Sequence, residues 1–168
     1  MGAVPRNRPH VTSPCEHGRV LIRRARAKEA AALTALAFRS KAFWGYDKAF
    51  LEASGPDLTV EDELVRSGRV FVAERDRTIA GFASLGGEPP RLELVQLFVE
   101  PDFIGSGVGR GLVDHAVAEA RRLGAVELVV ESDPNAEGFY GAMGGERVGT
   151  VPSIVDPERQ LPLLRLKL

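Results

Sequence analysis

The hydrophobic and polar positions of this chain change their spacing several times between residues 19 and 168. Short runs rich in Val, Leu, Ile and Phe are typical of strands, and longer segments with apolar residues every three or four positions are typical of amphipathic helices. The predicted strands cover residues 20–22, 69–74, 78–85, 91–99, 125–130, 147–151 and 161–168. The predicted helices lie within residues 27–37, 41–68, 108–123 and 135–143.

The order of these elements predicts a mixed sheet with helices on both faces. The run at residues 91–99 is apolar on both faces apart from Glu93 and Gln96, which is typical of a strand in the middle of a sheet. The polar triplet at residues 75–77 separates two strand-like runs and predicts a hairpin. Gly86 and Gly87 predict the end of the second of these strands.

Composition and charge restrict the domain organisation and the partners. The 168 residues suffice for one domain with its own core, which we assign to residues 18–168. Residues 1–17 are rich in proline and lack the apolar run of a secretion signal, so we expect a flexible tail there. The formal net charge of -1 gives no field for holding nucleic acid. No run approaches the roughly 20 apolar residues that span a membrane as a helix, so no membrane partner is expected.

Cysteine usage adds one further expectation. Cys15 is the single cysteine, which excludes an intrachain disulfide and a zinc site built from several cysteines. This usage fits a reducing compartment, so we expect a cytoplasmic protein that holds no metal. His10 and His17 lie near Cys15 and leave a metal site in the tail as the alternative.

The most informative stretch is residues 97–110, LFVEPDFIGSGVGR, where a buried strand runs through a glycine-rich loop into the clearest helix of the chain. Such a loop leaves the first amides of the helix unpaired at the positive end of its dipole, where an anion such as pyrophosphate binds. The dinucleotide pattern G-x-G-x-x-G fails because Arg110 stands three residues after Gly107. A P-loop fails because no lysine is near. A glycine-rich connection without a ligand is the alternative.

The stretch at residues 99–117, VEPDFIGSGVGRGLVDHAV, resembles the acyl-CoA signature of the GNAT N-acetyltransferase superfamily. That signature is a strand ending in V-x-P, then [QR]-x-x-G-x-[GA], then a helix. Val99 and Pro101 match the strand exit, and Gly107 and Gly109 match the two small positions, whereas Ile104 replaces the Gln or Arg. The resemblance implies acetyl-CoA as co-substrate, without a metal. Its diphosphate is expected to bind Gly105, Ser106, Gly107, Val108, Gly109 and Arg110.

A second stretch at residues 133–145, DPNAEGFYGAMGG, is similar to the family pattern N-x-x-A-x-x-F-Y-x-x-x-G-F. The residues in register are Ala136, Phe139, Tyr140 and Gly144. Asp133 takes the place of the Asn and Gly145 that of the last aromatic, and Asn135 is expected to contact the pantetheine arm instead. Together the two motifs imply the GNAT fold, an α/β (α+β) protein with a mixed, mostly antiparallel sheet of about seven strands flanked by helices.

The family's reaction is the direct attack of an amine on the thioester, without an acyl-enzyme. This chain agrees, because its cysteine lies in the tail, it has no G-x-S-x-G motif, and His115, the one histidine after residue 17, is interpreted as a packing residue. The resemblance implies Glu93 as the general base and Tyr140 as the general acid. Glu131 is the alternative base. A solvent-exposed structural role for Glu93 and a core role for Tyr140 also stay open.

The resemblance further implies that the amide of Phe98 or Val99 polarises the thioester carbonyl, through a bulge that separates two central strands. Trp44 and Tyr46, on the helical connection that roofs the acceptor site in the family, are expected to contact the acceptor or to belong to the core. We predict an N-acetyltransferase acting on the primary amine of a small molecule. The alternatives are an acyl-CoA-binding sensor without turnover and a transferase acting on proteins or peptides. Many members pair through their sheets, so a homodimer is also an expectation.

Overall fold

A seven-stranded sheet forms the centre of residues 18–168, the part of the chain that the computed structural model describes. The strands are β1 (Leu21–Arg24), β2 (Val70–Arg75), β3 (Thr78–Glu88), β4 (Arg91–Val99), β5 (Glu127–Glu131), β6 (Glu146–Pro152) and β7 (Gln160–Lys167). The helices are α1 (Ala30–Ala42), α2 (Lys48–Ala53), α3 (Gly55–Leu58), α4 (Asp62–Arg66), α5 (Val108–Arg122) and α6 (Glu137–Ala142). The expected tail at residues 1–17, with its alternative metal site, lies outside the described residues.

The strand order is β1-β2-β3-β4-β5-β7-β6, and every neighbouring pair is antiparallel except β4 and β5. A parallel pair needs a long crossover between its strands, and α5 supplies it here. The predicted mixed, mostly antiparallel sheet of about seven strands is therefore confirmed. Within residues 18–168 no helix is long and apolar enough to cross a membrane.

The β2–β3 hairpin follows the prediction at its turn and departs from it at its far end. Asp76 and Arg77 both have positive φ, 49° and 62°, the sign that a type I′ hairpin turn requires. Gly86 and Gly87 do not end β3, because the strand continues to Glu88. A side chain at Gly86 would place its Cβ 2.7 Å from Val95 on the neighbouring strand, so the glycine makes room for Val95.

Two hydrophobic cores cover the two faces of the sheet. On one face, which we call the α5 face, Leu112 and Val113 of α5 and Tyr140 of α6 pack against β3, β4, β5 and β7. On the other, the α1 face, Leu33 and Leu36 of α1 pack against β2 and β3. Phe71 and Ala73 of β2 belong to the first core and Val70 and Val72 to the second, as the pleat of a strand requires.

The central pair of strands separates before either strand ends. Parallel pairing of β4 with β5 extends only from the Arg91–Glu127 pair to the Glu93–Val129 pair, whereas β4 continues to Val99. On the β3 side of β4 the register shifts between the pair Leu85–Leu94 and the pair Ser84–Gln96, so Val95 is the extra residue of a β-bulge. Bulges bend and twist a strand. The bulge at Val95 therefore coincides with a gap that opens between β4 and β5.

Candidate active site

The loop before α5 presents a group of free backbone amides. The first backbone hydrogen bond of α5 runs from the Gly111 amide to the Gly107 carbonyl at 3.0 Å. The free amides are those of Gly105, Gly107, Val108, Gly109 and Arg110, which donate no backbone hydrogen bond within the described residues. Such amides at a helix N-terminus attract anions, and the helix dipole adds to the attraction.

Two glycines give this loop its shape. Gly105 and Gly107 have φ of 79° and 88°, a left-handed conformation that residues with a Cβ adopt only with strain. Both are exposed, and nothing stands within 4 Å of the position where a Cβ would project. Ser106, by contrast, donates both its amide and its hydroxyl to the carbonyl of Phe103 and so closes the turn. The loop thus faces outward and fits a diphosphate on its backbone amides.

Along β4, successive backbone amides point alternately toward β3 and toward the gap between β4 and β5. The Glu100 amide donates to the Ala80 carbonyl on β3 at 2.8 Å. Because Phe82 lies opposite Phe98 in the same register, the Phe98 amide also points toward β3. The amides of Leu97 and Val99 alternate with it and point into the gap. Of the two amides predicted to polarise a thioester, only that of Val99 therefore faces the gap.

A cavity of about 660 Å³ occupies this gap and extends over the α1 face. Its wall includes Phe98 of β4, Val130 of β5 and Tyr140 of α6, and on the α1 side Phe50 and Thr59. Residues from both faces of the sheet therefore line one continuous space. A thioester could enter from the α5 face and an acceptor from the α1 face.

Glu93 lies in this cavity on the α1 face. Its neighbours Leu92 and Leu94 belong to the core on the α5 face, so the alternation of the strand directs Glu93 to the other side. Glu93 is exposed and lines the cavity. Glu131 of β5 is also exposed and lines the same cavity. The structure thus brings both predicted carboxylates to one space.

Tyr140 lies under the cavity from the α5 face and is 5% exposed. Its ring packs edge to face against Phe139, with 5.0 Å between the centroids. Burial raises the pKa of the Tyr140 phenol above its ordinary value, and the nearby charge of Asp133 raises it further. The phenol therefore carries its proton at neutral pH.

Comparison with known proteins decides the family. The model of the acetyltransferase (GNAT) family matches residues 30–144. This chain belongs to the GNAT acetyltransferase family. It is an acetyl-CoA-dependent N-acetyltransferase, and acetyl-CoA is its co-substrate. The alternative of a sensor without turnover is therefore set aside.

Individual relatives support this membership. The peptidyl-lysine N-acetyltransferase YjaB of Escherichia coli K12 is 35% identical over 153 residues, which cover 88% of this chain and 95% of YjaB. The fold is similar to that of the PaiA N-acetyltransferase of Thermoplasma acidophilum in complex with coenzyme A, with a TM-score of 0.73 at 17% identity, covering 89% and 99% of the two chains. It is also similar to yncA of Salmonella typhimurium with acetyl-CoA, with a TM-score of 0.64 at 23% identity, covering 89% and 94%.

The acetyltransferase also has an ionic cluster that the sequence did not reveal. We call Lys41, Tyr46, Asp133 and Arg159 the Asp133 cluster. Asp133 Oδ2 accepts from Lys41 Nζ at 2.6 Å, from the Tyr46 hydroxyl at 2.8 Å and from Arg159 Nη2 at 3.4 Å. Arg159 Nη2 also donates to the Tyr46 hydroxyl. Lys41 and Arg159 lie 118 residues apart in helix and loop segments without a motif, so no sequence pattern marked them.

The charges of this cluster shift the pKa values of its members. Burial alone would raise the pKa of the Asp133 carboxyl, but hydrogen bonds from Lys41, the Asn135 amide and Tyr46 outweigh it and lower the pKa to about 2. Burial, together with the hydrogen bond to Asp133, raises the pKa of Tyr46 to about 12. Asp133 is thus ionised and Tyr46 protonated across the physiological range.

The aromatic residues predicted for the acceptor site are placed differently from one another. Tyr46 joins the Asp133 cluster, and Asn135 Nδ2 donates to its hydroxyl at 3.3 Å. Trp44 is 47% exposed, packs against Phe43 and is not among the residues lining the cavity. Phe50, which the sequence did not single out, lines the cavity and stacks on Tyr46.

A buried glutamine holds the wall of the acceptor side to β4. Gln96 is 4% exposed, and its Oε1 accepts from the Ser84 hydroxyl at 3.0 Å. Its Nε2 donates to the carbonyls of Asp57 and Thr59 at 3.1 and 3.2 Å. Because a buried amide left unpaired is costly, these bonds hold the α3–α4 connection beside the bulge.

We predict that Asp133→Asn lowers the free energy of unfolding at pH 7, because the neutral amide leaves Lys41 and Arg159 without their anion. Folding lowers the pKa of this carboxyl from 3.8 to about 2, so its stabilisation is complete above the higher value and disappears as the pH falls toward the lower one. The difference between wild type and variant should therefore shrink between pH 4 and pH 2, as measured by urea unfolding. Asp114→Asn, on the exposed side of α5, is the control and should change little. If wild type and Asp133→Asn differ in free energy of unfolding by the same amount at pH 4 and pH 2, the charge of Asp133 does not stabilise the fold.

Proposed function

We propose that this acetyltransferase transfers the acetyl group of acetyl-CoA to the ε-amine of a lysine side chain in a protein or peptide. The similarity to the peptidyl-lysine acetyltransferase of Escherichia coli over most of both chains supports this acceptor. The carboxylates Glu93 and Glu131 in the cavity suit an amine that arrives as a cation. A small-molecule amine, the acceptor expected from the sequence, is the second candidate, because a cavity of about 660 Å³ is within the usual size of small-ligand sites.

The proposed reaction begins with loss of a proton from the acceptor. A lysine ammonium has a pKa of about 10.4 and must become neutral before it attacks. Glu93 is the base in this proposal, because it is exposed in the cavity on the face from which the acceptor enters. Glu131, on the neighbouring strand, is the alternative base.

The neutral amine then attacks the thioester carbonyl in the gap between β4 and β5. The amides of Val99 and Leu97 point into this gap and are suited to stabilise the negative charge that develops on the carbonyl oxygen. The free amides of Gly105 and of residues 107–110 hold the diphosphate, which fixes the thioester at the gap. Asn135 is proposed to contact the pantetheine arm.

The last step needs a proton for the departing thiolate. Tyr140 lines the cavity with a phenol that burial keeps protonated, so it is the proposed donor. As the C–S bond breaks and the amide forms, the nitrogen loses its second proton, which restores the Tyr140 phenol, and the proton taken earlier by Glu93 returns to water. We also retain the cytoplasmic location as a proposal, on the single cysteine and the intracellular supply of the co-substrate that the reaction consumes.

We expect purified protein to release free thiol from acetyl-CoA in the presence of a lysine-containing peptide, with the acetyl group located on the lysine by mass spectrometry. Tyr140→Phe should lower kcat by about 100-fold, a usual contribution of a general acid, with acetyl-CoA affinity unchanged. Phe139→Leu is the matched control for aromatic packing and should lower thermal stability more than the chemical step. Transfer to small amines but to no peptide would establish the second candidate instead.

The base assignment predicts a change in the pH profile. Glu93→Gln should lower kcat at neutral pH by about 100-fold. Its rate should recover as the pH approaches the pKa of lysine, about 10.4, because the acceptor then loses its proton in solution. Glu131→Gln is the matched control on the adjacent strand. Loss of rate in the Glu131 variant, with a normal profile in the Glu93 variant, would transfer the role to Glu131.

A further inference from the structure

Two cations in the Asp133 cluster share one carboxylate at the wall of the cavity. The side chains of Lys41 and Arg159 are 16% and 21% exposed, and that of Asp133 is 18% exposed. All three line the cavity. By formal charge, Lys41, Arg159 and Asp133 together carry one positive charge in excess.

Asp133 accepts hydrogen bonds from both cations, but its one negative charge neutralises only one of them. Its Oδ2 accepts from three side chains, and its Oδ1 accepts from the Asn135 amide at 2.9 Å. A carboxylate that already accepts four hydrogen bonds is close to saturated. The long 3.4 Å contact from Arg159 agrees with this crowding.

Arg159 retains donors that can bind another group. Only its Nη2 donates a hydrogen bond within residues 18–168, so Nε and Nη1 have no partner in that part of the chain. Neither atom is buried, because the buried side-chain polar atom without a partner among the described residues is Arg165 Nε. These two donors are therefore available to a ligand.

The aromatic rings beside the cluster hold both cations in place. Tyr46 and Phe50 stack with 4.4 Å between their centroids. Arg159 Cζ lies 5.1 and 5.2 Å from the two ring centres, and Lys41 Nζ lies 4.7 and 5.8 Å from them. Cations fixed in this way lose little side-chain entropy when they bind an anion.

We propose that Arg159, assisted by Lys41, forms a subsite for a carboxylate carried by the acceptor. Hydrogen bonds from a guanidinium to a carboxylate are charge-assisted, and an excess positive charge that is mostly buried favours an anion. The same cavity holds Glu93 and Glu131, so it can accept an amine and a carboxylate at different places. The inference rests on the proposed lysine acceptor and adds that a carboxylate accompanies the amine. Its source is either the α-carboxylate of a lysine or an acidic residue next to it.

The test compares acceptors that differ only in this carboxylate. One pair is Nα-acetyl-lysine and its amide, and the other is a pair of end-blocked peptides, Gly-Lys-Glu and Gly-Lys-Gln. We expect kcat/KM to be about tenfold higher for the acid member of one pair, equivalent to about 1.4 kcal/mol. The pair that shows the advantage identifies the source of the carboxylate. Equal values within both pairs would overturn the proposal.

Variants of the cluster assign the effect to Arg159. Arg159→Gln should abolish the higher kcat/KM of the acid member. Arg159→Lys, which keeps the positive charge but not the planar guanidinium, should retain part of it. Arg91→Gln is the matched control, because Arg91 lines the same cavity but is 53% exposed and is not part of the Asp133 cluster, so the ratio between acid and amide should persist. An advantage that survives in Arg159→Gln, with normal thermal unfolding, contradicts the assignment.

A binding measurement separates this inference from the proposed function. Calorimetry of the same acceptors with protein saturated with coenzyme A needs no turnover. Tighter binding of the acid that depends on Arg159 supports the subsite even if no lysine is acetylated, which would refute the proposed function alone. Acetylation of lysine with equal binding of acid and amide would refute the subsite alone.

Discussion

The early end of pairing between β4 and β5 is the constraint on which the site depends. Beyond the Glu93–Val129 pair, the edge of β4 that faces β5 has no strand partner within the described residues. Backbone amides and carbonyls need hydrogen-bond partners, so an unpaired edge inside a sheet is tolerable only where water or a ligand reaches it. The same separation connects the two faces of the sheet. In the proposed reaction it therefore supplies both the hydrogen-bond donors for the thioester and the passage along which the amine meets it.

The two ends of this passage have opposite chemistry. On the α5 face, free amides at a helix N-terminus suit the diphosphate, and this affinity comes from the backbone. Ile104 in place of the family's Gln or Arg is compatible with that. On the α1 face the wall is built of side chains: the carboxylates Glu93 and Glu131 and the Asp133 cluster. In the proposed reaction the co-substrate is thus recognised mainly by the backbone, and the acceptor by side chains.

This difference explains how much could be predicted from the sequence. The glycine loop, the central strand and Tyr140 lie in contiguous stretches whose spacing has a local physical cause, and the structure has the predicted loop, strand and helix at these residues. The bulge at Val95 was expected only from the family resemblance, because it arises from a register shift against β3. It selects the amide of Val99, where the sequence left Phe98 and Val99 equivalent.

The acceptor side was predicted least well, because distant segments build it. Lys41 and Arg159 meet Asp133 from a helix and a loop far away in the chain, and no local pattern marks a contact of that kind. The aromatic segment at residues 43–46 attracted attention for its composition. Only Tyr46 of the two predicted aromatics turns toward the cluster, whereas Trp44 lies on the surface. The continuation of β3 through Gly86, which the sequence did not predict, also depends on a distant segment, because the missing side chain leaves room for Val95 on β4.

The most direct test of this account is the change in backbone amide chemical shifts when coenzyme A, and separately pantetheine without the diphosphate, is added to isotopically labelled protein. With coenzyme A we predict large changes at both groups of amides, residues 105–110 and the pair Leu97 and Val99. With pantetheine only the β4 pair should respond. Unchanged amides at residues 105–110 with coenzyme A, or at Leu97 and Val99 with both ligands, would contradict the central role of the gap and its loop.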